Sequence, residues 1–102
     1  MKYRCLFPNH SIEKKFEKAL VQISESKLKN EIMEAIEALE DNPRPFGSKP
    51  FKQLKPPIQC YQFTAQYRLR VGDYRILYDV DDKQRIVWIL TLRKRNESTY
   101  KY

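Results

Sequence analysis

Tyr67-Arg-Leu-Arg-Val-Gly-Asp-Tyr-Arg-Ile-Leu-Tyr78 is the stretch on which the fold turns. Residues upstream alternate in the same phase. Tyr61, Phe63, Ala65, Tyr67, Leu69 and Val71 fall on one side of a strand, and Gln62, Thr64, Gln66, Arg68 and Arg70 on the other. Gly72-Asp73 fits a two-residue type II′ turn, whose first position needs φ > 0 and so favours glycine. Such a turn pairs Val71 with Tyr74, Arg70 with Arg75, Leu69 with Ile76 and Tyr67 with Tyr78. Directly opposed side chains share a face. The apolar side thus gains Tyr74, Ile76 and Tyr78, while Arg68, Arg70 and Arg75 gather behind. Arg70 facing Arg75 is a like-charge pair, which costs stability unless an anion sits between them. Packing alone gives no reason for it.

Working outward, residues 2–7 read as a first strand stopped by Pro8. Ser11 suits an N-cap, and Ile12, Phe16, Ala19/Leu20 and Ile23 recur at helical spacing. A second stripe, Leu28, Ile32, Ala35/Ile36 and Leu39, predicts a helix from about Ser26 that ends before Asn42-Pro43. The short connection makes the two an antiparallel hairpin. Residues 43–57 hold five prolines and read as a stiff, polyproline-like loop, with Lys49, Lys52 and Lys55 at every third position along one edge. Strands over residues 61–71, 74–80 and 86–92 complete the order β-α-α-β-β-β. The expected class is α+β: one domain over residues 1–102, with two layers and the helical hairpin on one face of a mainly antiparallel sheet. The other face, carrying the arginines, is left open to solvent or ligand.

Composition narrows the function. The chain has 102 residues and a formal net charge of +7, with Lys and Arg outnumbering Asp and Glu 20 to 13. Residues 1–42 hold 7 basic and 8 acidic side chains, so residues 43–102 hold 13 and 5, together with ten of the thirteen aromatics. Positive charge beside aromatics is the footprint of a polyanion binder, most often nucleic acid. The longest apolar run, residues 86–90, is too short for a membrane span. Cys5 and Cys60 lack metal-ligand spacing and there is one histidine, His10, so no metal or other cofactor is expected. Reduced thiols and a cytoplasmic location are the expectation. Glu31, Glu34, Glu37 and Glu40 read as a solvated helix face rather than a catalytic set.

The hairpin motif R-x-G-x-Y-R-x-x-Y, followed by an apolar strand and Leu92-Arg-Lys-Arg-Asn-Glu-Ser-Thr-Tyr100, resembles the RelE/ParE superfamily of toxin–antitoxin toxins. The preceding helical hairpin and Lys52-Gln-Leu-Lys55 fit the same plan. In its RelE branch the resemblance implies a ribosome-dependent mRNA endonuclease that works without metal, with a cognate antitoxin, the ribosome and messenger RNA as partners. The family's catalytic positions would fall on Arg68, Arg70, Arg75, Arg95 and Tyr100. Lys49, Lys52, Lys55, Arg93, Lys94 and Tyr102 would contact RNA. The RelE type commonly has lysine where this chain has Arg68 and Arg70. Arginine orients and stabilises but scarcely deprotonates, so the proton acceptor would lie elsewhere: Lys94, a lysine of the 49–55 segment or a ribosomal RNA group. Two other functions stay open on the same resemblance, a ParE-like DNA gyrase inhibitor and a non-catalytic RNA-binding module.

Register decides which C-terminal basic residue joins the arginines. A three-residue turn pairing Asp81 with Arg85 buries the larger apolar set against the helices (Ile86, Trp88, Leu90 and Leu92) and sends Arg93 and Arg95 to the arginine side. An even-length loop puts Lys94 there instead. The first register is the expected one. Trp88, Tyr61, Phe63 and Tyr67 are assigned to the core, and His10 to the surface at the start of the first helix.

Overall fold

The computed structural model describes residues 2–95. β1 (Arg4–Leu6), α1 (His10–Val21), α2 (Ser26–Ala38), β2 (Phe51–Cys60), β3 (Phe63–Val71), β4 (Tyr74–Asp81) and β5 (Ile86–Lys94) follow in order. The five strands form one sheet in the order β1-β5-β4-β3-β2, antiparallel except for β1 beside β5. This is the expected α+β fold with one strand more than the sequence suggested.

Both helices form where their stripes lie, and each buries that stripe against the sheet. Ile12, Phe16, Ile23, Ile32, Ile36 and Leu39 are all under a tenth exposed. Each such side chain contributes about 1.5–3 kcal/mol when fully buried. The cap of α1 is Asn9, not Ser11: its extended backbone (φ −160°) lets Oδ1 accept from the Ile12 N–H at 2.9 Å. Asn9 wins because its side chain reaches the third helical amide, the orphan donor of the first turn. His10 opens the helix at the surface, 3.6 Å from Glu13.

The predicted loop over residues 43–57 is shorter than expected, because Phe51 to Cys60 is a strand. Pro56 and Pro57 argued against it. A strand at the edge of a sheet, however, needs ladder bonds on one side only, and a register break takes up the missing donors. β2 is that edge, and its pairing with β3 shifts between Gln53 and Ile58, across the prolines.

Helix-facing aromatics lock the sheet from behind. The rings of Phe51 and Tyr67 stack at 5.7 Å, and Tyr67 meets Tyr78 at 5.6 Å. The Tyr78 hydroxyl donates to the Pro43 carbonyl at 2.8 Å, and the Arg44 Nε donates to the Tyr67 hydroxyl at 2.7 Å. Arg44 also grips Asp82 with two nitrogens, at 3.1 and 2.9 Å, and Tyr3 donates to the same carboxylate at 2.6 Å. The segment before β2 is thereby tied to the β4–β5 turn and to the N-terminus.

Candidate nucleic-acid interface

The hairpin registers as its sequence dictates. Val71 opposes Tyr74, Arg70 opposes Arg75, Leu69 opposes Ile76 and Tyr67 opposes Tyr78. Gly72 has φ +57°, whereas Asp73 is not in the positive-φ region, as a II′ turn requires. A Cβ at Gly72 would meet Leu28 Cδ1 at 3.1 Å, so the hairpin tip also rests closely on α2. Leu69, Ile76, Tyr67 and Tyr78 pack in the cluster beneath the helices, with Val71 and Tyr74 at its border. Arg68, Arg70 and Arg75, one residue out of phase, lie on the opposite face of the sheet.

β5 supplies the fourth arginine by an unexpected route. Its turn has four residues, since Asp81 opposes Ile86, and not the expected three. Val87 and Ile89, rather than Trp88 and Leu90, therefore meet the helices. Continued to the strand end, that phase would bury Arg93 under the helices. A β-bulge prevents it: Tyr78 opposes Ile89 but Leu77 opposes Thr91, leaving Leu90 as the extra residue. The bulge turns Leu92 back into the helix-facing core and puts Arg93 opposite Arg75. Lys94 opposes Tyr74 on the helix side, so it is not part of the arginine face.

The outcome is a row, Arg70–Arg75–Arg93, across three adjacent strands, with Arg68 two residues along β3 and Lys52 opposite Arg68 on β2. Neighbouring strands lie about 4.8 Å apart, so the row spans roughly 10 Å at its Cα atoms. Exposure is graded. Arg70 and Lys52 are exposed, Arg68 and Arg75 half-buried, and Arg93 is buried at 8%. The Nε atoms of Arg68, Arg75 and Arg93 are all buried. Planar guanidinium groups held on a packed sheet suit a phosphate, since their paired N–H donors match its oxygens.

The arginine face is not bare beyond that row. Leu54, Cys60, Ala65, Leu77 and Leu90 form a second buried cluster, flanked by Ile58, Phe63 and Trp88. Ala65 is buried in this cluster, and Phe63 and Trp88, expected in the core under the helices, are instead half-buried against it. β3 pairs with β4 only from Tyr67 onward; before that it pairs with β2 alone, beyond the proline break, so its earlier residues follow the β2 hairpin. Burial pushes the Cys60 thiol up to about 11, with the nearby Arg93 charge pulling the other way. Burial likewise pushes Cys5 up to about 12. Both thiols are free.

Of the remaining sequence candidates, Lys49 and Lys55 are exposed, and Lys55 lies in the β2 register break. Arg95 sits just past β5, exposed, its amide donating to the Asp73 carbonyl at 2.6 Å. Tyr100 and Tyr102 fall outside the described residues. Tyr61 is the clearest departure. It is a turn residue between β2 and β3, 44% exposed with φ +58°, not a core residue. Among the described residues no group of three or more His, Cys, Asp or Glu side chains is placed to hold a metal ion, and no helix is long and apolar enough to cross a membrane.

The family model for the ParE toxin of the type II toxin–antitoxin system parDE matches residues 10–99. The chain belongs to the RelE/ParE toxin family. It is thus a type II toxin–antitoxin toxin, and solved RelE structures are similar to it in fold. The archaeal RelE–RelB complex from Pyrococcus horikoshii is 28% identical, with a TM-score of 0.70 over 96% of this chain and 100% of that one. The RelBE2 toxin–antitoxin complex of Mycobacterium tuberculosis is 21% identical, with a TM-score of 0.63 over 93% of this chain and 100% of that one. A double arginine-to-alanine mutant of E. coli RelE, in the free state, is 18% identical with a TM-score of 0.56, covering 98% of this chain and 90% of that one. The last two likenesses concern the fold. No curated protein matches the chain.

Proposed function

We propose that this toxin is a ribosome-dependent mRNA endonuclease whose arginine row holds the scissile phosphate. The observation that carries the reading is the alignment of Arg70, Arg75 and Arg93 across three strands, on the face the helices leave uncovered. Like charges opposed twice in one row are costly for a scaffold. They are useful where negative charge builds up during reaction.

In the proposed reaction the RNA 2′-oxygen attacks phosphorus, losing its proton. The P–O5′ bond breaks, and the 5′-oxygen leaves with a proton, giving a 2′,3′-cyclic phosphate and a 5′-hydroxyl. Arg70, Arg75 and Arg93 offset the charge on the phosphorane, while Arg68 holds the adjoining backbone. Guanidinium groups do not accept the 2′-proton at neutral pH. Lys94 faces the helices, so Lys52 or a ribosomal RNA group is the proton acceptor in this reading. Cleavage slower than that of a lysine-bearing relative follows. Arg95 and Tyr100, next along the chain, complete the assignment as contacts to the leaving nucleotide. The solved RelE neighbours in complexes with antitoxins support a cognate antitoxin as the resting partner, and the net charge of +7 fits an acidic one.

Mapping messenger RNA 5′ ends after induction tests the reading. New ends on translated transcripts, absent from untranslated ones and from Arg75→Ala and Arg93→Ala proteins that remain folded, are the expected result. The ParE description of the matching family model favours a second reading, inhibition of DNA gyrase. Uncut messenger RNA together with DNA-damage signalling would select it.

A further inference from the structure

We propose that a second groove, on the helix side of the sheet, is a track for single-stranded RNA flanking the phosphate held by the arginine row. The inference rests on the RNA reading of that row. The groove holds about 500 Å³ and lies between α1 and the ends of β4 and β5; Lys15, Lys18, Tyr61, Tyr74, Leu92 and Lys94 line most of it. Among the described residues no carboxylate lines it.

Tyr61 is the informative member. Its φ of +58° is one that glycine adopts without strain and a bulky side chain rarely does. An aromatic in that conformation, 44% exposed, points to a use for its side chain. The ring reaches across to α1, where the Lys15 Nζ lies 5.3 Å from its centroid. The ring thus contacts a cation while 44% of the residue stays exposed, enough to stack on a base. Ammonium groups beside two tyrosine rings match RNA on both counts, phosphate charge and flat bases. An acidic peptide would use the charge and leave the rings idle, and the aliphatic lining among the described residues, Leu92 and Ala19, offers little to anchor an apolar side chain.

Position links the groove to the arginines. Arg93 and Lys94 are consecutive on β5, one on each face of the sheet. An RNA strand leaving the row at the end of β5 goes round one strand before it meets Lys94, Tyr74 and the α1 lysines.

The test is binding of a dye-labelled, all-2′-O-methyl oligoribonucleotide, which cannot be cut, to the purified full chain by fluorescence anisotropy over a range of salt. Lys15→Ala combined with Lys18→Ala should lower the magnitude of the salt slope by about 1.4, the value for two lost phosphate contacts at roughly 0.7 each. Tyr61→Gly should weaken binding about tenfold or more, the loss of one stacked base, while its melting temperature stays level or rises. Wild-type binding and slope in these variants would overturn the proposal. So would a groove in which the lysines govern binding of poly-glutamate but Tyr61→Gly leaves the oligonucleotide affinity unchanged. Failure here, with cleavage of translated messenger RNA intact, leaves the arginine reading standing. Lost groove binding in the variants of a chain that cuts no RNA rejects cleavage alone.

Discussion

Replacing Arg75 by methionine should stabilise the fold and abolish function in one step. Arg75 is the middle of the row, opposed by Arg70 on one side and Arg93 on the other. Directly opposed like charges are destabilising on the scale of the about 0.2–1 kcal/mol that favourable pairs contribute, and Arg75 opposes one on each side, before what its other interactions offset. Methionine keeps an unbranched apolar stem on this half-buried position, so the packed part of the side chain is largely replaced. Urea denaturation followed by Trp88 fluorescence reads the change, since this single tryptophan packs against the second cluster. The measurement is made at about 0.01 M and about 1 M salt, where the Debye length falls from about 30 Å to about 3 Å. At low salt the variant should be the more stable by up to about 1 kcal/mol, and at high salt the gap should narrow without closing, because half-buried charges are screened less than exposed ones. A variant less stable than wild type at low salt, or a gap insensitive to salt, would refute the view that the row trades stability for phosphate binding.

Gly72→Ala should destabilise by about 1–2 kcal/mol, because an L-side chain is strained at φ +57° and its Cβ would press on Leu28; a Leu28→Ala background should recover only the contact part, as thermal melts can show. The hydrogen bonds from Arg44 and Tyr3 hold the Asp82 carboxyl below its usual range, so its folded pKa lies under the unfolded one. That stabilisation is complete above the ordinary carboxylate range and is lost as pH falls through the lowered value, and acid melts of Asp82→Asn should lack this component. Asp79 has the opposite sign. Burial raises its carboxyl, so the associated stability is present below the unfolded pKa and lost as pH rises through the folded one; Asp79→Asn should remove that loss. Cys60, buried, and Cys5, half-buried, pushed up to about 11 and about 12, should react slowly with iodoacetamide at pH 8 until denaturant exposes them, and alkylation of native Cys60 as fast as in denaturant would contradict its burial.

Much of this architecture was legible in the residues because its signals are local. Helical stripes at Ile12, Phe16 and Ile32, Ile36 name the buried faces directly, and two-residue turn chemistry at Gly72-Asp73 fixes a register without reference to anything else. Three features were hidden for one shared reason: each depends on what lies across space. Pro56 and Pro57 forbid a central strand but not an edge one, and edge position is a property of the sheet. Asn9 and Ser11 are both good caps on paper, and the path of the chain out of β1 chooses between them. Tyr61 alternates in phase with the core, yet the turn after Cys60 takes it out to meet Lys15.

The chain's own alternation, pivoting on a glycine suited to the positive φ of a two-residue turn, determined that Arg68, Arg70 and Arg75 share a face, because side-chain direction along a strand is a local property of the backbone. Which C-terminal cation joins them was decided by tertiary structure alone. A four-residue loop set β5 in one phase, and burial of Ile89 and Leu92 under the same helices required an extra residue, Leu90, between them. That bulge is the packing of two layers reconciled with a single strand, and it puts Arg93 rather than Lys94 in the row.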